Sequence, residues 1–231
     1  MIKAIIFDLD GTLAEFNLDY KTVRAEVKNL LVNHSFPSSI FSINESIFEM
    51  MKKAKVYMLN NGKKEHDFLE INKEVLSLAS RHELKAAHET SLLPGVFEAL
   101  KTLKKMNLKL GIFTINSQNS TDYILREFRL KQFFSAIIAR ERVTNVKPDP
   151  SHLATTLRAL NVDAGEAIVV GDSVVDIQSA KALNVASVGI ARGNDGVRKL
   201  KSAGATTVIQ SLADLPAYLV ELREEKRQAF N

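Results

Sequence analysis

The sequence predicts an α/β fold, a parallel sheet with helices on both faces, interrupted near its start by an all-α insertion. Three observations predict it. Short apolar runs suited to buried strands recur through the second half; helical stretches of roughly ten to fifteen residues separate them; and roughly seventy residues after the first run carry helical patterns alone.

The first run is Ala4-Ile5-Ile6-Phe7, inside KAIIFDLDGTL at Lys3–Leu13. Continuous apolar character fits a strand covered on both faces, and this one ends abruptly in Asp8, Asp10 and Gly11-Thr12. Two acids followed by a flexible turn, with free N–H groups and a hydroxyl, form a place for a divalent cation and a phosphate. From Asp19 to about Ala87 the period becomes helical. Val23, Val27, Leu30 and Leu31 make one stripe, broken at Phe36-Pro37-Ser38-Ser39; Ile47, Met50, Met51, Ala54 and Met58 make a second, closed at Asn60-Asn61-Gly62. Phe68, Ile71, Val75, Leu76 and Ala79 make a third. These stripes read as the core of a helical subdomain, not as a ligand surface.

Alternation then sets in. Pro94 is expected at the first position of a helix carrying Val96, Leu100 and Leu103; Leu108–Thr114 follows as a strand, Asn119–Arg129 as a helix and Ala136–Ala139 as a strand. Asp149 caps a helix with Pro150 at its first position and Leu153, Leu157 and Leu160 on one side. Ala167–Val170 is a strand, Ser173–Leu183 a helix, Ala186–Ile190 a strand, Val197–Ala203 a helix, Thr207–Ile209 a strand and Leu212–Glu225 a closing helix. Such alternation predicts right-handed crossovers and a parallel sheet.

The chain has 231 residues, 45% hydrophobic and 25% charged, the composition of a globular protein. Absence of Cys excludes disulfides, thiolate metal sites and cysteine nucleophiles. The net charge of +4 is spread among acids, which reads as a solvated surface and not as a nucleic-acid face. Without a signal-peptide pattern or a long apolar run, the expectation is a cytoplasmic protein with no membrane association.

Ligands of parallel sheets bind beyond the carboxyl ends of the strands. There the sequence delivers Asp8 and Asp10 after the first strand, Thr114 with Asn116 after the second, and Gly171-Asp172-Ser173 with Asp176 after the strand ending at Val170. Lys147, held extended by Pro148, lies in the loop after the third strand and can reach the same edge. The set reads as one cation site beside one anion site. His66, His82 and His88 lack ligand spacing and read as surface or structural.

The motifs DLDGT at Asp8–Thr12, the apolar strand ending in Thr114, Lys147 in VKPDP and GDSVVD at Gly171–Asp176 occur in one order. In them the chain resembles the haloacid dehalogenase-like hydrolase superfamily, on the branch with a helical cap that includes phosphoglycolate phosphatases and β-phosphoglucomutases. The resemblance implies a Rossmann-like catalytic core over residues 1–15 and 92–231 and a cap over 16–91, hinged near Ala14–Leu18 and Ala86–Leu93. It also implies Mg2+-dependent phosphoryl transfer through an aspartyl-phosphate on Asp8, with Asp10 as general acid and base. Asp8, Asp172, Asp176 and the main-chain carbonyl of Asp10 would serve the metal; Thr114, Lys147, Gly11 and Asn116 would serve the phosphate. Dehalogenating members lack the second acid, so Asp10 points to phosphate chemistry. Asn116 departs from the family pattern, because Ile115 separates it from Thr114. The expected substrate is a small phosphorylated metabolite, phosphoglycolate first and sugar or nucleotide phosphates behind it, and the protein is expected as a monomer or homodimer. A phosphomutase and a non-catalytic phosphate-binding module are the rival readings; binding alone would not need Asp10.

Overall fold

The computed structural model of the chain describes residues 1–15 and 17–228. Phe16, the expected first residue of the insertion, lies outside the described residues. The chain divides into two compact units, Met1–Phe16 with Thr90–Asn231, and Asn17–Glu89.

The first unit begins with β1 (Ala4–Phe7), fully buried, and a two-residue strand β2 (Ala14–Glu15). The second unit comprises α1 (Tyr20–Asn33), α2 (Ile47–Asn60) and α3 (Glu65–His88). Asp19 caps α1 through the N–H groups of Lys21 and Thr22, and Ser46 forms a reciprocal capping box with Glu49 at the start of α2. The predicted stripes meet inside. Val23, Val27 and Leu31 pack with Met50, Met51, Ala54, Met58, Ile71 and Val75 in one core. Burial of each of these Val, Leu, Ile and Met side chains contributes about 1.5–3 kcal/mol, which is what the apolar stripes are for.

The first unit resumes with β3 (Ser91–Leu92), antiparallel to β2, in the register Ala14 to Leu92 and Glu15 to Ser91. There follow α4 (Val96–Lys105), β4 (Lys109–Phe113), α5 (Gln118–Glu127), β5 (Ala136–Ile138), α6 (Pro150–Leu160), β6 (Ala167–Gly171), α7 (Val174–Ala182), β7 (Ala186–Ile190), α8 (Asn194–Ala203), β8 (Thr207–Ile209) and α9 (Leu215–Gln228). The helix expected from Pro94 starts later: Gly95, with φ 79°, is the N-cap of α4, and Pro94 lies in the turn before it. A left-handed backbone turns the chain into α4, and glycine takes that conformation without strain. The closing helix also starts late, because a 3-10 turn at Leu212–Asp214, boxed by Ser211, precedes α9.

β1, β4, β5, β6, β7 and β8 form one parallel six-stranded sheet in the order β5-β4-β1-β6-β7-β8. Ala4 and Ile6 of β1 face Leu153, Leu157 and Leu160 of α6 and Ala180 of α7. Ile5 and Phe7 point to the opposite layer, where the Phe7 ring meets Phe134 edge-on at 6.2 Å. With β1 between β4 on one side and β6 on the other, and the strand order changing direction there, the carboxyl ends of β4, β1 and β6 converge on one topological switch point. Among the described residues no helix is long and apolar enough to cross a membrane.

Candidate active site

Each of the three central strands ends in chemistry. Asp8 follows β1, Thr114 follows β4, and Asp172 follows β6, while Asp176 sits one turn into α7. Main-chain hydrogen bonds fix these ends: Asp8 N–H donates to Val170 O at 2.9 Å and Thr114 N–H to Ile138 O at 3.0 Å.

Lys147 is the centre of the arrangement. It precedes a cis peptide bond to Pro148, and its Nζ lies 2.7 Å from Asp8 Oδ1 and 2.7 Å from Asp176 Oδ1. The ammonium also sits 4.3 Å from the centroid of Phe113, over the ring face. Burial by itself would lower its pKa; Asp176 and then Asp8 overcome that and hold it above the usual lysine range. Lys147 is therefore charged at neutral pH.

Asp8 Oδ1 also accepts from Leu9 N–H at 2.7 Å, so both donors use the same oxygen and Oδ2 is turned away from them. Burial, reinforced by Asp176, raises the Asp8 pKa to about 7 against the opposing pull of Lys147. Asp172 is the most open of the acids, yet partial desolvation and Asp176 still raise it to about 6. Asp176 is fully buried, with one oxygen on Lys147 and the other on the N–H and hydroxyl of Ser173.

Oxygen atoms of Asp8, Asp172 and Asp176 all lie within 4.8 Å of one another. Three carboxylates against one lysine leave a local charge near −2 when all are ionised, which a small hard divalent cation matches in both charge and ligand type. Two glycines make room for this. A Cβ on Gly11 would lie 2.1 Å from Asp172 Oδ2, and one on Gly171 would lie 2.4 Å from Asp176 Oδ2. The donor set therefore fits magnesium.

The structure separates the remaining predicted residues by what they touch. Gly11, expected at the phosphate, uses its N–H on Ala14 O at 2.8 Å, and its bare α-carbon admits Asp172. Thr114 is fully buried, its Oγ1 accepting from Asn116 N–H at 3.2 Å. Asn116 Nδ2, also expected at the phosphate, donates to Asp10 Oδ1 at 2.8 Å. The Asp10 carboxylate is not one of the three clustered acids. Asp149 caps α6 through Ser151 N–H, as the sequence predicts.

One buried group escaped sequence reading. His152, the first residue of α6 to turn inward, is fully buried, donates from Nε2 to Ile138 O at 3.0 Å and packs edge-on against Phe113 at 5.6 Å. Among the described residues its Nδ1 has no hydrogen-bond partner. The signal was present in the spacing His152, Thr156, Leu160, which places the imidazole on the buried face of α6. Burial lowers its pKa from 6.5 to about 4. A base whose folded pKa is depressed favours the unfolded state once protonated, so this contribution is intact above about pH 6.5 and lost as pH falls toward 4. Between pH 7.5 and 4.5 the protein is expected to lose about 2–3 kcal/mol more than His152→Gln, read as urea midpoints at the two pH values. Equal losses in the two proteins would show that His152 is not held neutral.

With this geometry in place, the comparisons with known proteins are informative. Residues 5–190 match the family model described as haloacid dehalogenase-like hydrolase. The chain is 29% identical over 220 residues to a phosphoglycolate phosphatase of Pseudomonas savastanoi pv. phaseolicola, covering 92% of this chain and 78% of the relative. It is 27% identical over 227 residues to the pyrophosphatase PpaX of Listeria welshimeri, covering 94% and 95%. Among solved structures, a subfamily IA hydrolase of the same superfamily from Geobacter sulfurreducens superimposes with a TM-score of 0.58 at 26% identity, covering 94% of this chain and 96% of that one. The matched span runs from the second residue of β1 to the last residue of β7 and so contains Asp8, Asp10, Thr114, Lys147, Asp172 and Asp176. By that match, this chain belongs to the haloacid dehalogenase-like hydrolase family.

Proposed function

We propose that the protein is a Mg2+-dependent phosphatase that hydrolyses a small phosphate monoester through an aspartyl-phosphate on Asp8. The observation that carries the reading is the position of Asp8: a carboxylate with one oxygen pinned by Lys147 and Leu9, beside two further acids suited to a cation.

An anionic nucleophile approaches an anionic ester only when charge is neutralised around both. Magnesium held by Asp8, Asp172, Asp176 and the Asp10 carbonyl would supply electrostatic stabilisation of the phosphoryl group. Asp8 Oδ2 forms the new bond to phosphorus as the ester P–O bond breaks, and Asp10 gives its proton to the departing alkoxide. Lys147 and the Thr114 hydroxyl hold the phosphoryl oxygens as charge shifts onto them. In the second half Asp10 takes a proton from the attacking water, the acyl-phosphate bond breaks and Asp8 is restored. Residues 1–15 and 92–231 would form the catalytic core, and the helical insertion over 16–91 would be the cap that selects the leaving group.

The relatives' names, phosphoglycolate phosphatase and pyrophosphatase, set the first substrates to try. The test is release of inorganic phosphate from phosphoglycolate, pyrophosphate, hexose phosphates and nucleoside monophosphates. Release is expected with magnesium, and the rate should fall to background with excess EDTA and recover when magnesium is restored. Isomerisation of a hexose phosphate without phosphate release would make the protein a phosphomutase. Tight magnesium and phosphate binding without turnover of any ester would make it a binding module.

A further inference from the structure

We infer that Asn116 is a positioning residue for Asp10, held in place by a clamp that the Arg140-Glu141 pair forms across the ends of β4 and β5. This rests on the reading of Asp10 as general acid and base. Asn116 is only 2% exposed, and its side-chain amide donates to Asp10 Oδ1 at 2.8 Å, joining residues 106 positions apart.

An amide donor cannot exchange protons with a carboxylate at any working pH, so its effect is orientation. Asp10 stands on a turn that passes directly into Gly11, with φ 70°, and such a turn alone leaves a short acid several rotamers. The hydrogen bond selects one. For that selection to matter, Asn116 must itself be fixed, and the loop that carries it is tied at four points. Asn116 N–H donates to Thr114 Oγ1 at 3.2 Å. Arg140 N–H donates to Asn116 O at 3.3 Å, the buried Arg140 guanidinium donates from Nη1 to Ile115 O at 3.2 Å, and Glu141 Oε2 accepts from Gln118 N–H at 2.8 Å. A buried guanidinium is tolerated only when it is paired, and here Ile115 O and the neighbouring Glu141 carboxylate, 3.5 Å from Nε, pair it and so lock the two loops together.

The test is kinetic. Asn116→Ala is expected to lower kcat by roughly 10- to 100-fold with KM within about twofold, because a misplaced proton-transfer group loses part of its contribution without weakening binding. With p-nitrophenyl phosphate, whose leaving group departs without a proton, the variant should still release a burst of about one p-nitrophenolate per site and then turn over slowly, as phospho-enzyme hydrolysis waits for Asp10. In an Asp10→Asn background the Asn116 substitution should cost nothing further. The near-isosteric Asn116→Leu, which keeps the volume and removes the donor without adding charge, should show the same pattern and covers the case in which the alanine variant does not fold. A rise in KM with kcat unchanged would instead make Asn116 a phosphate contact. Equal loss of burst and steady rate, or multiplicative losses in the double variant, would equally overturn the inference. Near-normal turnover by Asp10→Asn alone would sink the acid–base reading itself, whatever Asn116 does.

Discussion

Asp8→Asn is expected to abolish turnover, by roughly four orders of magnitude or more, in a protein that keeps its fold. The amide oxygen can still accept from Leu9 N–H and from Lys147, so the packing around β1 has no reason to change. The substitution also removes a buried carboxylate whose charge is disfavoured first by burial and then by Asp176, as its pKa of about 7 reflects. Thermal stability without metal should therefore equal or exceed that of the parent. An amide cannot form the acyl-phosphate, however, and Asp10, the other acid after β1, is not among the three clustered carboxylates. Turnover within tenfold of the parent, with normal melting, would mean that the nucleophile is another group.

Lys147→Met is expected to harm both properties at once. Rate should fall by roughly 10^3, as expected for loss of a preorganised charge at the phosphoryl group. Stability should fall by about 3–5 kcal/mol, because Asp8 and Asp176 then share a buried site with no cation between them. Two conditions separate this mechanism from simple loss of packing. Added magnesium should raise the urea midpoint of the variant more than that of the parent, since the ion replaces part of the missing charge. The stability difference should also narrow as pH falls and Asp8 takes up a proton, because burial holds its pKa above that of the unfolded chain and loss of the lysine removes the group that opposed this. A variant as stable as the parent in EDTA would show that the paired geometry contributes little.

Much of this was legible in the sequence because it depends on local pattern. A continuous apolar run such as Ala4–Phe7 states that both faces are covered, and the residue at which the run stops marks the edge where ligands bind. Lys147 was legible for a related reason: the proline after it denies it a helical position and leaves it in the loop. Side-chain partners are another matter. Nothing near Asn116 in the sequence points to Asp10, because their contact is created by the sheet order, which sets β4 beside β1. Phe113 likewise reads as one more strand residue until the fold lays Lys147 on one side of its ring and His152 on another. Pro94 was misplaced because a proline fits the first turn of a helix and a tight turn equally well, and the glycine after it decides between them.

The pairing of β2 with β3 has a consequence for how such a chain can diversify. Ala14 opposite Leu92 and Glu15 opposite Ser91, tied further by the Thr90 hydroxyl on Glu15 O and Leu93 N–H on Leu13 O at 3.1 Å, bring the exit and the return of the insertion within one strand spacing. The sheet then experiences everything between them as a hairpin loop, whatever its length. The entropy of closing a loop grows only logarithmically, so doubling the inserted length costs about 0.6 kcal/mol. A neck of two residue pairs thus makes the insertion an exchangeable cartridge: its helices can be lengthened, shuffled or replaced while the six strands keep their register and the carboxylates keep their spacing.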